Sequence, residues 1–429
     1  MSRFTVILIA LVALEPGTPL LAQEPAATLH DFYELVRTRN PMLRAAGSAV
    51  EAAAAREPSA GLPPDPELQL GIMNASLPGL STDMPASMAP SIQLMQMLPF
   101  PGKLRLSREI AEQTTAMSRN AAEAMWWEVR STTAMAFHDV YQADRQLDVM
   151  RETLDWLTQF EQVSLTMYST GAGRQSDVLR AGVEVARMKA ELERMQAMRA
   201  VAAARLNALL DRASDTVVPR LAWTPLPADI PALADLERWA EESRPLIDRG
   251  RVALDRARTQ EMLARRELWP DLTVGVQYGQ RGSDTGTERM GSVMLGFSLP
   301  VFAGQRQMQM RREAAAMTAM SAAELDALRA DMRSRVGELH AELTRTRSLV
   351  ALYRAEVLPQ AEANVTSAFS AYRVGRVDFM TLVDARMTVN RYSQELYALL
   401  AEYGWRTAEL EMVLGRELPS STRTIEEVS

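Results

Sequence analysis

The chain of 429 residues contains no cysteine. Disulfides, thiolate metal sites and cysteine nucleophiles are therefore excluded, and so is an N-terminal lipid anchor built on cysteine. Lysine is nearly absent: Lys103 and Lys189 are the only two, and arginine supplies the rest of the 47 basic residues. The formal net charge is −7, so a nucleic-acid partner is not indicated. The 3 histidines (His30, His138, His340) are scattered and show no metal-ligand spacing such as H-E-x-x-H. There is no G-x-S-x-G and no P-loop, and the carboxylates follow helical faces as solvated charge does. No enzyme, cofactor or resident metal is expected. No apolar run approaches the roughly 20 residues of a membrane-spanning helix.

What is present begins with an export signal. Arg3 supplies a positive charge, "FTVILIALVAL" (Phe4 to Leu14) an apolar segment, and cleavage after Ala22 follows. Residues 1–22 are read as this signal.

The remainder is one pattern written twice. "YSTGAGRQSDVLRAGVEVAR" (Tyr168 to Arg187) aligns with "YRVGRVDFMTLVDARMTVNR" (Tyr372 to Arg391), placing Tyr168, Gly171, Ala181 and Val185 on Tyr372, Gly375, Ala385 and Val389. Asn40–Pro41 matches Arg244–Pro245 in the same register, and "LPFPGK" (Leu98 to Lys103) matches "LPVFAGQ" (Leu299 to Gln305) nearly so. The expected organisation is a first repeat over 23–212, a linker or collar over 213–232 carrying Pro219, Pro225, Pro227 and Pro231, a second repeat over 233–416, and a flexible tail over 417–429.

Each repeat holds two strand candidates with period-2 alternation. They lie at about 66–74 and 91–98 in the first repeat and at about 271–279 and 291–299 in the second. Leu68, Leu70 and Ile72 fall on one face, and so do Val274, Val276 and Tyr278, or Val293, Leu295 and Phe297. Their length is near the roughly 9–11 residues of a tilted membrane-crossing strand. A soluble sheet would alternate too, and four strands cannot close a membrane barrel, so a barrel requires several chains. The intervening segments Ala75–Ala89 and Gln280–Met290 read as exposed hairpin loops.

Helices make up most of the chain. From Leu104 to Tyr168 there is no proline, and Val129, Thr133, Ala136, Val140, Ala143, Leu147, Met150, Leu154 and Leu157 form a heptad seam. Val336, Leu339, Leu343, Thr346, Val350, Tyr353 and Val357 repeat it. A helix of about 60 residues is about 90 Å long, deeper than any compact domain. It must pack along others as a stalk or coiled-coil barrel. A glycine turn ends each long helix, and a shorter helix runs back over Ser176–Leu210 and Asp378–Leu414.

The duplicated helix–strand–strand–helix–turn–helix order, the "PFPGK" joint and the "YRVGRVDFMTLVDA" turn together resemble the TolC-type outer membrane efflux factors, over roughly Asn40 to Gly415. The proline joint is similar to that of relatives paired with heavy-metal pumps. The resemblance implies a mainly α fold with a small β part: a homotrimer in which each chain lends four strands to one 12-stranded barrel, continued by a long α-helical coiled-coil barrel across the periplasm. It implies an exit duct in the outer membrane of a Gram-negative bacterium, in contact with outer membrane lipid, an inner-membrane pump and a periplasmic adaptor. Carried onto this chain, Tyr168, Gly171, Tyr372 and Gly375 would form the adaptor-facing tips. Asp384 would line a pore constriction, and Thr381 stands where some members have a second aspartate. Pro99, Pro101, Gly102, Pro300 and Gly304 would make the strand-to-helix joints, because proline fixes φ and lacks the N–H that a ladder needs.

Methionine is abundant, 26 in all, with Met73, Met84, Met88, Met95 and Met97 in or near the first hairpin. Thioethers are soft ligands suited to Cu(I) or Ag(I), which raises metal export; methionine is also a helix former and gap filler. Two other readings stay open: a periplasmic coiled-coil adaptor or structural stalk that never enters the membrane, and a type I secretion duct that passes polypeptides.

Overall fold

The computed structural model describes residues 27–73, 89–171, 173–227, 229–283, 286–419 and 424–425. The expected signal segment lies outside that set, as does most of the first hairpin loop, with Met84 and Met88.

The first half runs α1 (Leu29–Arg39), α2 (Pro41–Ala54), α3 (Glu57–Ala60), β1 (Glu67–Met73), β2 (Ala89–Leu98), α4 (Lys103–Ser169) and α5 (Gln175–Leu209). A connection carrying β3 (Leu226–Pro227) leads to the second half: α6 (Leu233–Ser243), α7 (Pro245–Arg266), β4 (Leu272–Ser283), β5 (Gly286–Phe297), α8 (Gln307–Leu352), a π-helical turn at Tyr353–Val357, α9 (Leu358–Arg373) and α10 (Phe379–Leu414). The matched Asn-Pro and Arg-Pro pairs open equivalent helices, α2 and α7. Proline suits the first helical position, where its missing N–H has no partner to lose. Asn40 also caps α2, its side chain accepting the Met42 and Leu43 N–H groups at 2.9 and 3.3 Å.

Helix α4 spans 67 residues, about 100 Å at 1.5 Å per residue. Its heptad seam is buried: Val129, Thr133, Ala136, Val140, Ala143, Leu147, Met150 and Leu157 are each nearly inaccessible. They pack against α5 on one side and α10 on the other. The second rod is interrupted, although its sequence pattern reads as continuous. Pro359 would drive its ring into the carbonyl of Ala355 in a regular helix. The chain widens to π-helical hydrogen bonding over Tyr353–Val357 just before it. The two rods and their return helices thus share one packing scheme with a single local defect.

The strands form one antiparallel sheet in the order β1-β2-β4-β5, so the repeats are joined edge to edge through β2 and β4. Here one expectation is corrected. The segment Gln280–Met290, read as a loop, is mostly strand: β4 runs on to Ser283 and β5 begins at Gly286, and these two residues pair. The apolar alternation in the sequence ends at Tyr278, where Gln280, Arg281, Glu288 and Arg289 follow, so no apolar period marks this part as strand.

Two buried clusters meet around the segment that connects the repeats. Val36, Phe137, Val140, Tyr141 and Leu206 centre one cluster, and Leu236, Val336, Leu339, Leu400 and Leu410 centre its counterpart in the other repeat. The connecting segment joins them: Leu221 and Leu226 are buried, and Trp223 packs on Tyr141. Beyond Gly415 the chain returns to this region, with Leu418 N–H donating to Glu411 and Thr424–Ile425 (β6) pairing with β3. Arg130 lies over the rings of Tyr33 and Trp127 and pairs with Glu411 and Glu417. A guanidinium bonded on its fork and covered on its faces locks α1, α4 and α10 together.

His138 sits in the same region, fully buried beside Gly404, where any Cβ would overlap the imidazole. Among the described residues its Nδ1 has no hydrogen-bond partner. Burial holds the ring neutral and lowers its pKa from 6.5 to about 4. The unfolded chain takes up a proton near 6.5 that the folded chain refuses, so this stability is whole above that pH and is lost as pH falls toward 4. The full effect is roughly 3 kcal/mol per chain. The thermal midpoint of the detergent-solubilised protein is expected to fall between pH 6.5 and 4, and to fall measurably less in His138→Gln. Equal falls in the two proteins would contradict the assignment.

Candidate functional site

Strand register sorts the sheet into two chemically distinct faces. One row across all four strands is Leu68, Leu94, Val276, Val293, and the next is Leu70, Ile92, Tyr278, Gly291. On the opposite face the rows are Gln69, Gln93, Gln277, Ser292 and Glu67, Met95, Gly275, Met294. Among the described residues nothing covers the apolar face: Leu70 is 75% and Val293 74% exposed. Among the described residues β1 and β5 each have a neighbour on one side only. An uncovered apolar face of this extent marks contact with lipid or another chain, and two unpaired edges mark an incomplete sheet.

At the end of β2 the sequence-predicted joint is a type II turn. Pro101 and Gly102 occupy its central positions, Gly102 has φ 93°, and Lys103 N–H donates to the Phe100 carbonyl at 3.1 Å. Gly102 is also the N-cap of α4, so the turn passes straight into the helix. A side chain there would be strained by φ and would strike the Arg266 guanidinium, whose Nη1 donates to the Pro101 carbonyl at 2.8 Å. Phe100 stacks on Trp269 with centroids 5.2 Å apart, and its N–H donates to Asp271 Oδ1 at 2.7 Å. Lys103, only 5% exposed, turns its ammonium to Glu267 at 3.0 Å, Asp271 at 2.9 Å and the Trp269 carbonyl at 3.3 Å. Burial opposes the charge on Lys103, and the bonds from Asp271 and Glu267 outweigh it, so its pKa stands above the ordinary lysine value.

The second joint, expected to work in the same way, is built differently. Between β5 and α8 the chain makes a series of turns over 301–306. Pro300 leads into them, with Ala303 N–H donating to its carbonyl at 3.0 Å. Gly304 has neither a positive φ nor a close neighbour. Leu299, Val301 and Phe302 stand exposed there.

At the far ends of the long helices both glycine turns are helix caps of one type. Gly171 (φ 78°) and Gly375 (φ 70°) occupy the left-handed position after α4 and α9. Their N–H groups donate to the carbonyls of Tyr168 and Tyr372 at 3.0 and 2.9 Å. The structure brings the two turns side by side: the Tyr372 hydroxyl reaches Met167 Sδ at 3.7 Å, and the rings of Tyr372, Phe379 and Phe160 touch. Burial raises the pKa of Tyr372, whereas Tyr168 points to solvent. Asp378 caps α10, accepting the N–H and the hydroxyl of Thr381 at 2.9 and 2.6 Å. The hydroxyl bond and then the backbone bond lower its pKa. Asp384 lies between buried Val383 and buried Ala385 with its own side chain exposed.

Sequence reasoning missed the Lys103 clamp and the aromatic cluster of Trp156, Phe160, Phe369 and Phe379 under the turns. Lys103 carried one signal, its rarity; its partners lie 164 and 168 residues away. Removing the ammonium in Lys103→Met leaves two like charges facing each other, partly relieved by solvent because Glu267 and Asp271 are 36% and 21% exposed. A loss of about 2 kcal/mol is expected, below the 3–5 kcal/mol of a fully buried pair. The thermal midpoint in detergent reads it, and an unchanged midpoint would remove the clamp from the account.

Comparison with known proteins agrees with this geometry. The chain is similar to the cobalt-zinc-cadmium resistance protein CzcC of Cupriavidus metallidurans, with 23% identity over 317 residues, covering 73% of this chain and 74% of that one. Among solved structures it superposes on CusC with a TM-score of 0.76 at 17% identity (90% of this chain, 92% of that one). It superposes on VceC of Vibrio cholerae with a TM-score of 0.75 at 18% identity (91% and 96%), and on the open state of MtrE of Neisseria gonorrhoeae with 0.74 at 18% (92% and 91%). The family model for outer membrane efflux proteins matches residues 32–212 and 238–416, one span in each repeat. The chain belongs to the outer membrane efflux protein family and is an exit duct of the kind that serves tripartite efflux systems.

Proposed function

We propose that three copies of the chain close one barrel in the outer membrane of a Gram-negative bacterium, and that the helical rods continue its bore into the periplasm. The observation that carries this is the uncovered apolar face of a sheet with two unpaired edges. In hydrocarbon every backbone polar group needs a partner, so β5 of one copy pairs with β1 of the next until the ring closes. A periplasmic stalk would leave that face in water.

The duct is passive. An inner-membrane pump supplies the energy, and a periplasmic adaptor meets the turns holding Tyr168, Gly171, Tyr372 and Gly375. Exposed Val163, Leu165, Leu179 and Val183 beside the first turn support a protein contact there. Asp384, exposed near the start of α10, forms a ring of three carboxylates that narrows the tip and favours cations. The two halves, residues 23–212 and 233–416, act as equivalent wall segments joined by the collar at 213–232. The cargo is metal ions; similarity to a protein named for cobalt, zinc and cadmium resistance supports this class.

A strain lacking the protein is expected to become sensitive to heavy-metal salts and to recover on complementation. Unaltered tolerance across cobalt, zinc, cadmium, copper and silver would overturn the cargo. In planar bilayers Asp384→Ala is expected to raise the resting conductance several-fold; unchanged conductance would refute the constriction.

A further inference from the structure

Methionine is sorted across the sheet in a way that apolar filling does not explain. Met73, Met95, Met97, Met290 and Met294 all fall on the face that carries Gln69, Gln93, Gln277 and Ser292. The lipid-facing rows hold leucine, isoleucine, valine and phenylalanine, and none of these types shares the polar face among the paired residues. If methionine served only as an apolar side chain, it would appear on the apolar face too.

Two of these methionines converge. Met95 and Met294 flank Gly275 in one rung, with Glu67 next to Met95 in the same row. Met95 Cγ and Met294 Cε both lie 3.4 Å from the point where a Gly275 Cβ would stand. The missing side chain lets the two thioether chains lean toward each other over the glycine. The Gln93 amide nitrogen lies 4.0 Å from Met294 Sδ, which places an amide group beside that sulfur. Met97 follows Met95 on the same face, opposite Thr273.

We propose that the Met95–Gly275–Met294 rung is a transient coordination station for a soft monovalent cation of the Cu(I) or Ag(I) class on the inner wall of the barrel. Thioether sulfur binds such ions and has little affinity for hard ones. Neutral ligands in pairs hold the ion weakly enough to release it, as conduction requires. The Glu67 carboxylate in the same row draws cations to the wall. Met95 and Met294 are half-buried over Gly275, and Met97 beside them is exposed, so packing over the glycine leaves thioether groups at the surface of this face. This inference rests on the duct reading, which assigns that face to the lumen.

The test is equilibrium dialysis of the detergent-solubilised full-length protein against silver nitrate in chloride-free buffer, with bound silver measured by elemental analysis. Wild type is expected to retain about one more silver ion per chain than Met95→Leu/Met294→Leu, or to bind at that site at least tenfold more tightly. Met198→Leu, at an exposed position on α5, serves as a control and should lack this effect. Should the leucine pair fail to assemble, Met294→Ser replaces it. Equal silver uptake by wild type and the double variant overturns the station. Bilayer conductance of the same preparations separates the two claims. A conducting protein with unchanged silver uptake keeps the duct and loses the station; a non-conducting wild type removes both.

Discussion

Every backbone amide placed in hydrocarbon must find its partner inside the protein, and the sheet of this chain cannot meet that demand alone. Its four strands satisfy one another in the order β1-β2-β4-β5 and leave β1 and β5 open on their outer sides. The side chains agree with the backbone: Leu68, Leu94, Val276 and Val293 form an apolar row that nothing among the described residues covers. Closure by further copies answers both at once. On the proposed assembly, the duplication, the long rods and the joints serve to continue a closed ring of strands as a ring of helices.

That continuation is a geometric problem. Strands in a sheet stand about 4.8 Å apart, whereas packed helices need about 8–10 Å. A ring that changes from one to the other must turn sharply and still hold its neighbours. The type II turn at Pro101–Gly102 supplies the turn. The Lys103 ammonium supplies the hold, because Glu267 and Asp271 lie where α7 hands over to β4. The outgoing strand of one repeat is thus tied to the incoming strand of the other at the level where the wall changes character. The looser second joint leaves Leu299, Val301 and Phe302 free to meet lipid or a neighbouring copy.

Much of this was legible in the sequence, and the failures have physical causes. The strands with apolar alternation and the heptad seams were found because burial on one face imposes a period that local reading detects. Beyond Tyr278 the β4–β5 hairpin has no such face, so pairing between Arg281 and Glu288 left no periodic trace. The π turn before Pro359 was hidden because the seam residues around it keep nearly helical spacing. The clamp at Lys103 depends on residues far away in the chain, which no local pattern reports. Of the candidate site residues, Gly102, Gly171 and Gly375 each show a positive φ that favours glycine, while Gly304 shows none.

The duct depends on assembly of several copies, and the mass of the complex tests that most directly. The protein would be extracted with mild detergent from separated membrane fractions and its detergent-free mass determined by light scattering. An outer-membrane species at about three times the mass of one chain, 47.6 kDa less the expected signal over residues 1–22, is the predicted result. A soluble periplasmic monomer or dimer would contradict it, because the apolar face and the two open edges would then exist in water without a partner.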